Sequence, residues 1–256
     1  MEHLLAKGEN LVEAYHNALV NLKTFGEHFP CPDYNTTMIE ANMEIIVMKP
    51  WEDPMISKCG IYDTESLQQY KMEVEDGILD FMVGIDENVW EYTYHQRIGE
   101  QLNWCIEELK RNPWTRRAVI DTRDTKVDAN NEHPACLQHI QFILRNNVLD
   151  MIVLMRSNDA VNATFMNMFA FIGLMEKVAK ALGAEMGTYV HRANSFHVYE
   201  KDFELFEHFV KEIISKTTEE LSYNYGGEGG WKSLMEAEIP KIKEKIKDQK
   251  NKYNIK

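Results

Sequence analysis

Basic residues are in short supply: 28 lysines and arginines face 41 aspartates and glutamates, leaving a formal net charge of −13 over 256 residues. A surface of that sign repels polyphosphate chains, which argues against extended nucleic acid as a partner. A small phosphorylated ligand stays open, because a few arginines converging on one pocket act locally against the global field. Cysteine is sparse as well. Cys31, Cys59, Cys105 and Cys136 show no CxxC spacing, so neither a zinc ribbon nor a redox dithiol is indicated, and free thiols are the simplest reading. No apolar run approaches the roughly 18–20 residues that span a bilayer, and the opening MEHLLAKGEN has neither a basic n-region nor an apolar h-region. The expectation is a soluble, cytoplasmic chain. His95, His133, His139 and His191 have no ligand spacing with Asp or Glu, which speaks against a metal-dependent hydrolase and for a site with no metal.

What is present suits one sizeable core: 44% hydrophobic, 11% aromatic and 27% charged residues are near the averages of globular domains. Leu4, Leu5, Leu11, Val12, Ala18, Leu19 and Leu22 recur at helical intervals over 2–25, interrupted near Gly8 and ending at Gly26. A proline-containing loop, FPCPDYN, follows, and the alternation around Met43, Ile45 and Val47 suits a strand closed at Lys49-Pro50. Residues 65–83 and 99–111 read as helices. From 116 the pattern turns to strands: RRAVIDT, then CLQHIQFIL, a hairpin signal at Asn146-Asn147, and the apolar VLDMIVLM. The mostly apolar 165–182 reads as a buried helix ended by Gly183, EMGTYVHRANSFHVY as a strand, and 201–221 as an amphipathic helix. The glycines at 226, 227, 229 and 230 form a loop before a Lys/Glu-rich helical tail, read as solvated charge. The class is α+β, helices packed on a mixed sheet, in a single domain over 1–256 with 226–256 as glycine loop and polar tail.

Several residues stand out. Cys136, behind Pro134-Ala135 at the mouth of a strand, is either a buried structural thiol or a nucleophile. A free thiol with a pKa of about 8.5 supplies little thiolate at neutral pH unless a cation lowers it. Arg116 and Arg117 lie on one side of it in sequence and Arg156 on the other. The first two read equally as solvated edge charges. Arg156, closing the apolar MIVLM, must reach solvent or find a partner, and guanidiniums with the Ser157 hydroxyl beside a thiol would suit a phosphomonoester. Asn167 is an amide inside the apolar FMNMFAF, either satisfied by backbone or facing the edge of a heterocycle. His197 and Tyr199, two apart on a strand, face one side and either hydrogen-bond a sugar or are half-buried amphipathic residues.

Together RRAVI, PACLQHIQF, RSND, Asn167 and SFHVY resemble the thymidylate synthase superfamily, which includes the pyrimidine-nucleotide hydroxymethylases. The resemblance covers roughly 90–205 and rests on spacing: from Cys136, Arg156 falls 20 residues on, Ser157 21, Asp159 23 and Asn167 31. YTYHQR and PACLQ look more like the archaeal-type and phage branches. The resemblance implies a thymidylate synthase-like fold paired sheet to sheet as a homodimer, and one-carbon transfer to C5 of a pyrimidine deoxynucleotide. The donor would be 5,10-methylenetetrahydrofolate or a tetrahydromethanopterin analogue. It also implies roles: Cys136 adds to C6, Arg156 and Ser157 hold the 5′-phosphate, and Arg116 and Arg117 arrive from the neighbouring subunit. His197 and Tyr199 hold the sugar 3′-hydroxyl, Asp159 faces the pterin, Tyr94 assists removal of the C5 proton, and Asn167 prefers uracil. A glutamate from the 65–83 helix, Glu75 or Glu73, would organise water near the base.

Three departures accompany the resemblance. No arginine stands near PDYNTTMIE where the family has a phosphate ligand, the stretch GIDENVWEY before Tyr94 is short, and the chain ends in the polar KDQKNKYNIK. The last two bear on the product, because a site that excludes water favours a methyl group and a wetter one a hydroxymethyl group. Methyl transfer to dUMP is the first expectation, deoxyuridylate or deoxycytidylate 5-hydroxymethylation the second, and a non-catalytic nucleotide-binding relative the third.

Overall fold

The computed structural model describes residues 1–85, 90–131 and 133–255; part of GIDENVWEY therefore lies outside the described residues. The chain opens with a strand, His3–Gly8 (β1), where apolar spacing suggested helix, and the helix Leu11–Phe25 (α1) starts only after Asn10. The Asn10 side chain accepts a hydrogen bond from the backbone N–H of Glu13, a cap that fixes where the helix begins. The expected loop FPCPDYN holds a short strand, Glu27–Cys31 (β2), antiparallel to the long strand Thr36–Val47 (β3). Pairing with a neighbour overrides the local turn signal there.

A two-residue strand, Ile56–Ser57 (β4), leads to the helix Thr64–Asp76 (α2), which opens with a reciprocal cap between Asp63 and Ser66 and ends at Gly77 with φ 64°. Short Tyr94–Ile98 (α3) and Gln101–Arg111 (α4) precede the sheet core: Val119–Asp121 (β5), Leu137–Arg145 (β6) and Val148–Met155 (β7). Asn146 and Asn147 both have positive φ, as a two-residue hairpin loop requires. After Asn158–Asp159 (β8) come the helix Thr164–Leu182 (α5), the strand Glu185–Tyr199 (β9) and the helix Phe203–Ser215 (α6). Ser222–Tyr223 (β10) pairs with β4, and Trp231–Lys252 (α7) follows.

The main sheet runs β1-β3-β9-β7-β6-β5, with β2 added on β3 and β8 on β9. One face is sealed: Met43, Ile45, Phe142, Met151, Val153 and Tyr189 meet Phe165, Met168, Phe171 and Met175 of α5, all essentially buried. Truncating one of these phenylalanines to alanine costs about 3–5 kcal/mol. The opposite face carries Ile46, Ile143, Ile152, Leu154 and Val190, half-buried with no helix over them among the described residues. The C-terminal helix is less solvated than its charge suggested. Met235 and Ile242 are buried, and Lys241 and Lys245 both pair with Glu65 of α2. Among the described residues no helix is long and apolar enough to cross a membrane.

Two histidines lie inside this core. His16 Nε2 meets Ser57 Oγ at 2.8 Å, and burial pushes its pKa down to about 4. His191, fully buried, is pushed down to about 3 by the same cause. Both stay neutral when folded, whereas the unfolded chain protonates them below about pH 6.5. The unfolded state therefore binds more protons below that pH, and stability is lost as pH falls from about 6.5 toward 4. The urea midpoint is expected to be lower at pH 5 than at pH 7.5, with His16→Gln shrinking the difference; an unchanged difference in that variant would count against the assignment.

Candidate functional site

The antiparallel register of β6 and β7 sets Leu137 opposite Met155. The residues just outside that pair, Cys136 and Arg156, are consequently neighbours, and the Arg156 N–H donates to the Cys136 carbonyl at 2.8 Å. Two further bonds aim the arginine: Nε to Ala135 O at 3.1 Å and Nη2 to Pro134 O at 2.7 Å. The guanidinium so straps down the loop that presents the thiol. Among the described residues it has no carboxylate partner, so its charge is available to a ligand. Burial raises the Cys136 pKa, and Arg156 opposes that rise.

Cys136 and Arg156 open into a cavity of about 840 Å³, near the upper end of the ~300–1,000 Å³ usual for small-molecule sites. Its wall mixes polar groups with apolar ones such as Met38, Pro134 and Ala163, and several elements supply it. Tyr94, at the start of α3, accepts a hydrogen bond from the N–H of Leu137 at 3.3 Å, which holds its hydroxyl next to the residue after the thiol. Burial holds that hydroxyl well above its ordinary pKa. Ser157 and Asp159 follow Arg156 where β7 gives way to β8, which runs parallel to the end of β9. His197 and Tyr199 on that strand share a side as their spacing predicted, with rings 4.6 Å apart. Burial pushes the Tyr199 pKa up to about 12. Asp159 spends much of its charge locally: Oδ1 accepts from the N–H groups of Val161 and Asn162, and Oδ2 from the Asn162 amide.

Asn167, on the first turn of α5, is 4% exposed and faces the cavity. Its Oδ1 accepts the hydroxyl proton of Tyr70 from α2. A second amide, Asn158, is held in the same way from behind: His191 Nε2 lies 2.7 Å from Asn158 Oδ1, and Tyr189 Oη lies 2.9 Å from His191 Nδ1.

Cys136, Tyr94, Arg156, Ser157, Asp159, Asn167, His197 and Tyr199 therefore come together. Glu75 and Glu73 do not. Glu75 is turned to α5, paired with Lys71 at 2.5 Å, with Oε1 sealed and unpartnered; a Cβ on Gly173 would come within 2.0 Å of that oxygen. Glu73 is occupied by the Gln69 amide at 2.8 Å. What α2 offers the cavity is Tyr70, one turn earlier. Arg116 and Arg117 do not line the cavity of their own chain; Arg117 pairs with Glu108 at 2.7 Å and is 66% exposed. Sequence reasoning passed over Tyr70, Cys31, Tyr34 and Asn158, all in the wall. Asn158 stands inside the RSND run and was within reach of the same spacing argument; Tyr70 gave no signal, being one of several half-polar positions in QQYKM.

A thiol beside an arginine that has no carboxylate partner among the described residues, in a cavity that also holds tyrosine, serine, histidine and amide groups, is an enzyme-like site. Comparison with known proteins makes this specific. The sequence profile described as thymidylate synthase matches residues 48–236. A protein of Methanocaldococcus jannaschii named "Putative thymidylate synthase" is 36% identical over 156 residues, 55% of this chain and 70% of the relative. One of the same name from Methanosarcina mazei is 28% identical over 219 residues, 82% of this chain and 95% of the relative. The solved thermostable thymidylate synthase A from Bacillus subtilis superposes with a TM-score of 0.64 at 15% identity, covering 79% of this chain and 84% of that one, which shows a shared fold. The chain belongs to the thymidylate synthase family, a family of one-carbon transferases.

Arg156 opposes the effect of burial on the thiol, so removing its charge is expected to raise the Cys136 pKa. In a Cys31→Ser background, the pH profile of iodoacetamide alkylation should move to higher pH in Arg156→Gln and stay near wild type in Arg156→Lys. Superimposable profiles for wild type and Arg156→Gln would show that the arginine does not tune the thiol.

Proposed function

We propose that this protein transfers a one-carbon unit to C5 of a pyrimidine deoxynucleotide, with dUMP to dTMP as its reaction. The observation that supports this most is the pairing of Cys136 with Arg156, a nucleophile and an unspent cation held one strand apart by register. Arg156 and Ser157 take the 5′-phosphate, a charge-assisted contact about twice as strong as a neutral hydrogen bond. His197 and Tyr199 take the sugar 3′-hydroxyl. Asn167 meets the edge of the base.

Held this way, the base has its C6 presented to Cys136. The thiolate forms an S–C6 bond and the C5–C6 π pair moves to C5, which becomes the carbon nucleophile. Once C5 has bonded to the incoming carbon, Tyr94, fixed beside the thiol by Leu137, assists removal of the C5 proton, and expulsion of the Cys136 thiolate from C6 finally restores the C5–C6 double bond. The cavity volume accommodates a second small molecule beside the nucleotide, and Asp159, with lone pairs left on Oδ2, is the group that would hold the polar edge of a methylenetetrahydrofolate-type donor or its methanopterin analogue. When bound, that donor would supply C5 with a carbon at the level of formaldehyde and, for a methyl product, the hydride that reduces it, being itself oxidised to the dihydro level.

The uncovered sheet face supports a sheet-to-sheet homodimer. Its half-buried isoleucines, leucine and valine share one face of the sheet that no described helix covers. In such a dimer Arg116 and Arg117, at the start of β5, would join the phosphate site of the partner. Hydroxymethyl transfer is the second reading, favoured by one observation: among the described residues none beyond Tyr199 lines the cavity, so no described residue of α6 or α7 excludes water there.

The test is incubation with C5-tritiated dUMP or dCMP and methylenetetrahydrofolate, followed by the mass of the product. Tritium release and a methyl-bearing product are expected from dUMP, both abolished in Cys136→Ser. A hydroxymethyl product would select the second reading, and no product from either nucleotide would overturn both. For the shared site, Cys136→Ser and the double variant R116A/R117A should each be inactive alone and regain activity when refolded together, since each mixed dimer holds one intact site. Failure of the mixture to recover would remove the arginines from the partner's site.

A further inference from the structure

We propose that Asp80 positions Tyr94 for removal of the C5 proton by holding the residues on both sides of it, so that losing Asp80 slows the proton step without loosening the nucleotide. The inference rests on the role given to Tyr94 above and adds the residue that sets it. Tyr94 opens α3, and α3 is only five residues long. A helix that short closes too few hydrogen bonds to offset the ordering of its backbone, isolated helices below about 12–15 residues being marginal in water. The bond that the Tyr94 hydroxyl accepts from Leu137 is 3.3 Å long, beyond the usual range of about 2.7–3.2 Å. Neither the helix nor that bond holds Tyr94 in place unaided.

A carboxylate from the preceding turn supplies the rest. Asp80 begins the short helical turn Asp80–Met82 that follows α2. Its Oδ1 accepts the hydroxyl proton of Thr93, and Thr93 Oγ1 in turn accepts the Gln96 N–H at 3.1 Å, which caps α3. Its Oδ2 lies 2.6 Å from His95 Nδ1, and its main-chain carbonyl accepts from the Gln96 side-chain amide at 2.8 Å. Residues 93, 95 and 96 are thus tied to one residue, and Tyr94 is the position they enclose. An ionised carboxylate only accepts, so Thr93 and His95 both act as donors to it. Among the described residues no lysine or arginine pairs with Asp80, and its side chain is committed to the residues around Tyr94. The end of α2 leaves room for this contact: a Cβ on Gly77 would come within 2.2 Å of His95 Nδ1 and 2.5 Å of Asp80 Oδ2. Asp80 is not in the cavity wall. It acts through Tyr94 and is a positioning residue.

The experiment compares wild type, Asp80→Ala, Asp80→Asn and Thr93→Val by tritium release from C5-tritiated dUMP at saturating methylenetetrahydrofolate and by calorimetric affinity for dUMP. Asp80→Ala frees both donors and is expected to lower kcat by roughly ten- to a hundredfold, the scale of a misplacement of about 1 Å, with dUMP affinity unchanged. Asp80→Asn still offers an acceptor to His95 and a polar partner to Thr93, so it should keep most of the wild-type kcat. Thr93→Val, close to isosteric, should lower kcat alone and by less, and it carries the test if Asp80→Ala does not fold. In a Tyr94→Phe background Asp80→Ala should cost little more, because the group it positions is gone. The proposal fails if Asp80→Ala, or Thr93→Val in its place, keeps the wild-type kcat, or if dUMP affinity falls in step with kcat. It also fails if Asp80→Asn is as slow as Asp80→Ala, or if the loss is as large without the Tyr94 hydroxyl. Wild type that releases no tritium overturns the reaction reading and this proposal together; an active wild type whose kcat survives in Asp80→Ala overturns the Asp80 assignment alone.

Discussion

The bond from the Arg156 N–H to the Cys136 carbonyl is the last rung of the β6–β7 ladder, and the chemistry of the site hangs from it. A slip of one residue in that register would turn Arg156 to the other face of the sheet and leave the thiol without a cation. The register is in turn specified by burial. Ile140, Phe142, Met151 and Val153 must all face α5, and only one pairing of the hairpin at Asn146-Asn147 allows it. The juxtaposition of thiol and guanidinium is thereby made by the same constraint that makes the core, at no separate cost in loop ordering.

The strapping is mutual. Arg156 spends two of its N–H groups on the carbonyls of Pro134 and Ala135, the latter shared with the Gln138 amide, and those bonds hold the residue before the thiol. Tyr94 does the equivalent from the other side by accepting from Leu137. Cys136 is fixed through backbone groups of its neighbours and its own carbonyl, which leaves the sulfur itself uncommitted. Burial disfavours its thiolate, and Arg156 is the counterweight.

Much of this was legible in the sequence, and the parts that were not share a cause. Cys136, Arg156, Ser157, Asp159 and Asn167 sit on a strand, a strand end and a helix whose patterns are strong, and fixed spacing along regular elements translates directly into fixed positions. Residues 3–8 were misread because Leu4 and Leu5 continue the apolar spacing of α1, whereas pairing with β3 decides their state. The polar look of α7 hid the buried Met235 and Ile242, two apolar residues being enough to dock a helix whose lysines find Glu65. Glu75 was chosen by charge from the right helix on the wrong face: positions 70 and 75 are five residues apart, about 140° around an α-helix, so a helix that offers Tyr70 to the cavity turns Glu75 toward α5.

The charge of the cavity also follows from these choices. A chain of net charge −13 would repel a nucleotide phosphate from most directions, and Asp159, the acidic residue nearest the Arg156-Ser157 turn in sequence, would be expected to neutralise the arginine. It does not, because its oxygens are taken by Val161 and Asn162 at the entry to α5. Tyr70, Tyr94 and Tyr199 are held as neutral phenols by burial, and His191 is held as a neutral imidazole. The guanidinium of Arg156 then shares the cavity with neutral phenols and amides and with the carboxylates of Asp33 and Asp159, in a site of reduced dielectric where a charge counts for more than it does on the surface outside.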